Sequence, residues 1–150
     1  MQNDSEQKER QRWMGILARA PLEALESVWQ TVAGKPGYTF LRRPETATVM
    51  VRARTGGQGR PFNFGEVPVT RCAVQTDTGF SGCAYVKGTR RRHAELAAVF
   101  DALLQDRAAR SEVMAQVIEP LAGQLAEERR RSSEKTDATR VDFFTMVRGE

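Results

Sequence analysis

The apolar residues of this chain repeat at three-to-four spacing, then at two, then at three-to-four again. That double change of period fixes the fold class before any single residue does, because helices and strands bury faces of different period. In the first stretch Trp13, Ile16, Leu17 and Ala20 recur at helical spacing, and Asp4 or Ser5 can cap a helix over residues 5–19. Pro21 stands at the start of a second helix, where its missing N–H is tolerated. Leu22, Leu25, Val28, Trp29 and Val32 give that helix an apolar face, and Gly34 with Pro36-Gly37 ends it.

Period-two segments follow. Tyr38 to Arg42 and Thr46 to Arg54 read as strands joined by a turn at Arg43-Pro44-Glu45. Thr55 to Glu66 reads as a glycine-rich loop. A longer strand runs from Val67 to Thr76 and turns at Asp77-Thr78-Gly79 into a fourth strand, Phe80 to Lys87. Four strands linked by short turns predict an antiparallel meander. Gly88-Thr89 open the next helix, with Leu96, Phe100, Leu103 and Leu104 on its buried side. A further helix from Ser111 carries Met114, Val117, Ile118, Leu121 and Leu125, and Pro120 is expected to kink or divide it. The class is therefore α+β, with an N-terminal helical pair, a four-stranded antiparallel sheet and C-terminal helices, expected as a single domain over residues 1–150.

Two C-terminal features stand outside that frame. Residues 132–140 are polar and have the composition of a flexible linker. Residues 141–148 then turn apolar, through Phe143, Phe144, Met146 and Val147. Leaving each large side chain in water forfeits about 1.5–3 kcal/mol. This arm either folds back on its own domain or docks on a partner.

Composition narrows the function classes. No apolar run approaches the roughly 18 residues of a membrane span, and the polar N-terminus lacks the core of a signal peptide, so a cytoplasmic protein with no membrane association is expected. Cys72 and Cys83 lie on adjacent predicted strands and are read as free, packed thiols. The formal charge of +4 arises from 23 Lys and Arg against 19 Asp and Glu spread along the chain. So modest an excess suits a small anion or an acidic protein surface better than nucleic acid.

The candidate sites follow from charge placement. Gly56-Gly57-Gln58-Gly59 lacks the Lys-Ser/Thr and the following helix of a phosphate-binding P-loop, so positive φ angles in a tight connection are its first explanation. Arg90, Arg91, Arg92 and His93 at a helix start are a stronger signal. Three cations at the positive end of a helix dipole call for a compensating anion, from a ligand, a partner or this chain's own carboxylates, unless they fan out into solvent. Arg52 and Arg54 project from one strand face, and Arg71 lies on a neighbouring strand, which makes a second basic patch if pairing brings them together. His93 is the only histidine, and a structural role at the helix start outweighs general-base chemistry. No zinc-ligand spacing, hydrolytic triad or carboxylate pair is present, so no metal and no catalytic residue is assigned.

Read as a string of words, the chain resembles one family. Arg12-Trp13-Met14, Met50-Val51-Arg52-Ala53-Arg54-Thr55-Gly56-Gly57, Pro61-Phe62-Asn63-Phe64-Gly65-Glu66, Val69-Thr70-Arg71-Cys72, Tyr85-Val86-Lys87-Gly88, His93-Ala94-Glu95-Leu96-Ala97 and Phe143-Phe144-Thr145-Met146-Val147-Arg148-Gly149 follow the order of the G subunit, PhnG, of the bacterial carbon–phosphorus lyase system. Gln58 and Phe64 depart mildly from that pattern, where Thr and Leu are expected. The resemblance implies a core assembly with the H, I and J subunits, two copies of each, and a functional link to the L protein. It implies support for displacement of adenine from MgATP by an alkylphosphonate such as methylphosphonate, giving a ribose 1-phosphonate 5-triphosphate, before a radical step on the J subunit. The nucleosidase-like chemistry is attributed to the I subunit, so this chain is expected to bind no cofactor alone, with MgATP as substrate of the complex. The arginines at 90–92, with 52, 54 and 71, would then meet the triphosphate or an acidic partner. The alternatives are a purely structural assembly subunit and, more distantly, a stand-alone anion- or nucleic-acid-binding module.

Overall fold

The computed structural model describes residues 2–141. Helices α1 (Gln2–Arg19) and α2 (Leu22–Thr31) are followed by strands β1 (Tyr38–Arg54), β2 (Pro61–Thr76) and β3 (Ser81–Lys87), then helices α3 (Arg91–Gln105), α4 (Arg107–Val113) and α5 (Glu119–Ala138). The strands form one antiparallel sheet in the order β1-β2-β3. The α+β class and the helix–sheet–helix order are as the periodicity predicts, and Pro21 holds the N-cap position of α2. Helix α1 begins earlier than its expected cap, at Gln2, with an ion pair of 2.9 Å from Lys8 to Asp4 along its first turns.

The sheet has three strands where the sequence predicts four. Arg43-Pro44-Glu45 does not turn. The pairing with β2 instead shifts register between Phe40 and Arg42 and again between Arg42 and Glu45, and one strand runs on through the irregularity. The reason is positional. β1 is an edge strand, where a proline's missing donor removes no ladder bond, and a bulge absorbs the misfit. Half of the predicted loop 55–66 is strand, since β2 begins at Pro61. Residues 55–60, opening on a turn of 3-10 helix at Thr55–Gly57, separate β1 from β2, and Gly56 and Gly57 adopt φ of 60° and 80° there. The glycines thus do what tight reversal demands of them.

α3 is the centre of the body. Ala94 and the run from Leu96 to Leu104 are buried on every side, which is the pattern of a helix enclosed all round. α1 and α2 pack against it, and so does the sheet face carrying Cys72, Val74, Ala84 and Val86. The approach to β3 is so close that a Cβ at Gly82 would collide with the backbone oxygen of Ala98 and the backbone nitrogen of Ala102. Trp29 meets Phe100 edge to face at 5.8 Å, which closes the α2 side.

One polar group lies inside this core. Asp101 is fully buried. Its Oδ1 accepts from Trp13 Nε1 at 2.9 Å and Arg10 Nε at 3.2 Å, and its Oδ2 accepts from Arg10 Nη2 at 2.8 Å and the Cys83 backbone amide at 3.0 Å. The carboxylate therefore ties α1, α3 and β3 together, and no buried side-chain polar atom among the described residues is left without a partner.

The cysteines fall in adjacent rungs of the β2–β3 ladder. Cys72 faces Ala84, and Cys83 faces Ala73, so successive side chains send them to opposite faces. Both are free thiols. Burial pushes the Cys72 thiol up to about 11, with Glu95 adding to it, and burial likewise raises Cys83.

The C-terminal helices differ from expectation in detail. α4 starts at Arg107, where the Asp106 side chain caps by accepting from the Ala108 amide at 2.9 Å. A π-helical segment, Met114–Ile118, precedes Pro120, so the wider turn lies where the proline leaves a carbonyl without its donor. Residues 132–138, which the composition marks as linker, continue α5 to Ala138 as exposed helix. Of the apolar arm 141–148, all but Val141 lies outside the described residues.

Two outcomes are expected. Asp101→Asn keeps the shape but leaves Arg10 facing a neutral group, and should cost about 3 kcal/mol in urea unfolding; a change within 0.5 kcal/mol would show that the clamp is not structural. Iodoacetamide at neutral pH should leave both cysteines largely unmodified in the folded chain and modify both in urea. Rapid native labelling of Cys72 would contradict its placement.

Candidate functional site

The start of α3 carries the charge cluster that the sequence points to. Arg90 is the N-cap residue, in extended conformation, and makes no side-chain cap. Its guanidinium donates to Glu23 at 3.2 Å. Arg92 donates to both oxygens of Glu26, at 2.8 and 3.4 Å, and lies 3.2 Å from Glu95. Glu95 also accepts from the Tyr38 hydroxyl at 2.6 Å. The anion that compensates this helix end is thus mostly supplied by α2 of the same chain. Arg91 is exposed and makes no ion pair with any described carboxylate.

These contacts set the local titration. The hydrogen bond to Glu26 is the largest influence holding Arg92 protonated above the ordinary arginine value, and the same bond lowers Glu26. Glu23 is lowered first by its own backbone amide and then by Arg90. Burial, then Glu95, raises the Tyr38 phenol.

His93 is buried, and its Nε2 lies 3.0 Å from the Leu17 carbonyl. A carbonyl only accepts, so Nε2 carries the proton. The bond satisfies one of the free carbonyls at the end of α1. His93 is therefore a tether between helices in this structure, with Nε2 committed to the backbone.

The second basic patch is divided. Arg71 stands opposite Glu45 in the ladder and donates to it at 2.5 Å, and Arg42 shares the same carboxylate at 2.7 Å. Arg52 and Arg54 lie further along β1, opposite Asn63 and Pro61. Seven residues of strand separate Arg52 from Glu45, which is about 20 Å, so Arg71 does not join them. Arg52 and Arg54 make no ion pair with any described carboxylate. Arg54 reaches only the Gly59 carbonyl, at 3.5 Å.

Clefts elsewhere hold charges that are already engaged. One, about 470 Å³ between α1 and α4, is lined by Glu6, Arg10, Gln105, Arg107 and Arg110. Arg107 pairs with Glu6 at 2.8 Å, Arg10 with Asp101 at 2.8 Å, and Arg110 donates to the Leu104 carbonyl at 2.7 Å. Among the described residues, no three His, Cys, Asp or Glu groups converge to hold a metal ion.

The profile of the family described as "Phosphonate metabolism protein PhnG" matches residues 8–149, nearly the whole chain. The chain belongs to the PhnG family. It is similar to the alpha-D-ribose 1-methylphosphonate 5-triphosphate synthase subunit PhnG of Rhizobium meliloti (strain 1021), with 47% identity over 148 residues that cover 99% of this chain and 94% of that one. No helix of this PhnG-family chain, among the described residues, is long and apolar enough to cross a membrane.

For a PhnG-family fold, sequence reasoning missed two groups. One is the clamp of Arg10 and Asp101. Its only local signal is an aspartate inside the apolar run Val99-Phe100-Asp101-Ala102-Leu103. The other is the strand character of Pro61 to Glu66, for which Phe62 and Phe64, two residues apart behind a strand-initial proline, are the available signal.

The ion pairs predict an acid limit. Glu23, Glu26, Glu45 and Glu127 are all lowered from the ordinary 4.5. A carboxylate lowered in the folded state stabilises it fully above its unfolded value, and that contribution is lost as the pH falls through the folded value. The thermal midpoint should hold from pH 7 to about 5 and decline below about 4.5. An equal midpoint at pH 7 and pH 3, followed by circular dichroism, would contradict the pairing.

Proposed function

We propose that this chain is the G subunit of a ribose 1-methylphosphonate 5-triphosphate synthase and acts in assembly with other subunits rather than as an independent catalyst. The observation that carries the reading is the near full-length match to the Rhizobium meliloti synthase subunit at 47% identity. The partners are the H, I and J subunits, two copies of each, with the L protein acting alongside. The reaction joins a phosphonate oxygen to C1 of the ATP ribose and breaks the bond to the base, and the proton of the phosphonate monoanion ends on N9 of the departing adenine. MgATP and methylphosphonate are substrates of the complex, and this chain holds no cofactor of its own.

The geometry supports a supporting role. The buried groups among the described residues that could move a proton are otherwise committed: His93 Nε2 to the Leu17 carbonyl, Asp101 to donors from α1 and β3, and both thiols raised by burial. Of the arginines proposed to meet triphosphate or an acidic partner, Arg90, Arg92 and Arg71 already hold carboxylates of this chain. Arg52, Arg54 and Arg91 are the members with charge left to offer.

Omission tests the proposal. Purified H, I, J and L proteins are mixed with ATP and methylphosphonate, with and without this chain, and adenine is measured by chromatography. Adenine release should fall to background without the chain and return on its addition. Full release in its absence would overturn the reading.

A further inference from the structure

β1 and β2 stay paired far beyond the body of the sheet. β3 covers β2 only from Val69 to Gln75, so Thr48–Arg54 and Pro61–Pro68 form a ribbon of two strands with no third. No residue from Thr46 to Pro68 is buried. A two-stranded ribbon without a packed face is marginal in water, which makes so long a ribbon costly unless something else covers it.

Its composition is that of a buried surface. Phe64 is 74% exposed, Met50 51%, Phe62 45% and Val49 44%. The two phenylalanine rings stand 6.4 Å apart, edge to face. Aromatics, methionine and arginine are the residues enriched where proteins meet, and lysine and acidic residues are depleted there. This ribbon has Arg52, Arg54 and Arg60, no lysine, and Glu66 as its single acid.

The charges indicate the occupant. Arg10, Arg12, Arg42, Arg71, Arg90 and Arg92 each hold a carboxylate within the chain. The three ribbon arginines hold none among the described residues. A second copy of this chain is a poor match, because it carries +4 and its own Glu23, Glu26, Glu45, Glu119 and Glu127 are already held by arginines.

We infer that the ribbon from Thr48 to Pro68 is a docking arm that seats in an apolar groove rimmed with carboxylates on a different subunit of the complex. The inference rests on the subunit reading above. Phe62, Phe64 and Val49 fill the groove, and Arg52, Arg54 and Arg60 meet its rim, where charge-assisted bonds fix the register of the arm.

The test co-expresses this chain with tagged H, I and J subunits. Wild type should co-purify, and its failure to do so would overturn the subunit reading and the arm with it. Phe62→Ser with Phe64→Ser, and separately Arg52→Glu with Arg54→Glu and Arg60→Glu, should reduce the recovered chain on the order of tenfold or more. Both variants should keep the circular dichroism and unfolding midpoint of the wild-type chain, since the arm lies outside the core. Recovery at the wild-type level for both would overturn the arm. So would a fully assembled complex that has lost only adenine release, which would place the arm on the nucleotide instead.

Discussion

A carboxylate cut off from water must have its lone pairs occupied or it costs the fold several kcal/mol, and Asp101 meets that demand with donors from two other elements. Arg10 and Trp13 reach it from α1 and the Cys83 amide from β3, while Asp101 itself sits on the enclosed helix α3. The bonds have geometry that apolar packing lacks. They fix where α1 lies against α3, and they occupy a backbone donor of β3. The Gly82 contact with α3 then sets how close strand and helix come. Once those three elements are locked, Leu17 lies where His93 can tether it, and α2 lies where Glu23 and Glu26 can reach the arginines of α3.

Two kinds of surface result. On the body, most of the described arginines hold carboxylates of this chain, several of them brought in from distant parts of it. On the ribbon, Arg52, Arg54 and Arg60 have no such partners, and large apolar side chains stand beside them in water. A PhnG-family chain built in this way is self-sufficient in its core and incomplete at one extension. That division suits a subunit whose own groups are committed to structure and whose contribution to chemistry runs through assembly.

The helices were readable because their apolar faces are buried on one side and keep a clear period, as in Leu22, Leu25 and Val28. The strand count was not, because Pro44 signals a turn in the middle of a sheet but costs nothing on the edge strand it occupies. Pro61 to Glu66 reads as loop because both faces of the ribbon meet solvent there, which removes the inside–outside alternation that marks a strand. At the candidate site, the sequence located Arg90–His93 but not their partners. Glu23 and Glu26 lie 67 and 66 positions away, a pairing that only the packing of α2 on α3 creates. The same holds for Arg10 and Asp101, 91 positions apart.

A ribbon that completes itself on another subunit leaves water when the complex forms. Hydrogen–deuterium exchange of the chain alone and in the assembled complex measures that directly. Amides of the ribbon from Thr48 to Val67 should exchange rapidly in the isolated chain and become protected on assembly, while those of α3 stay slow in both. A ribbon that exchanges as fast in the complex as it does alone would contradict the account.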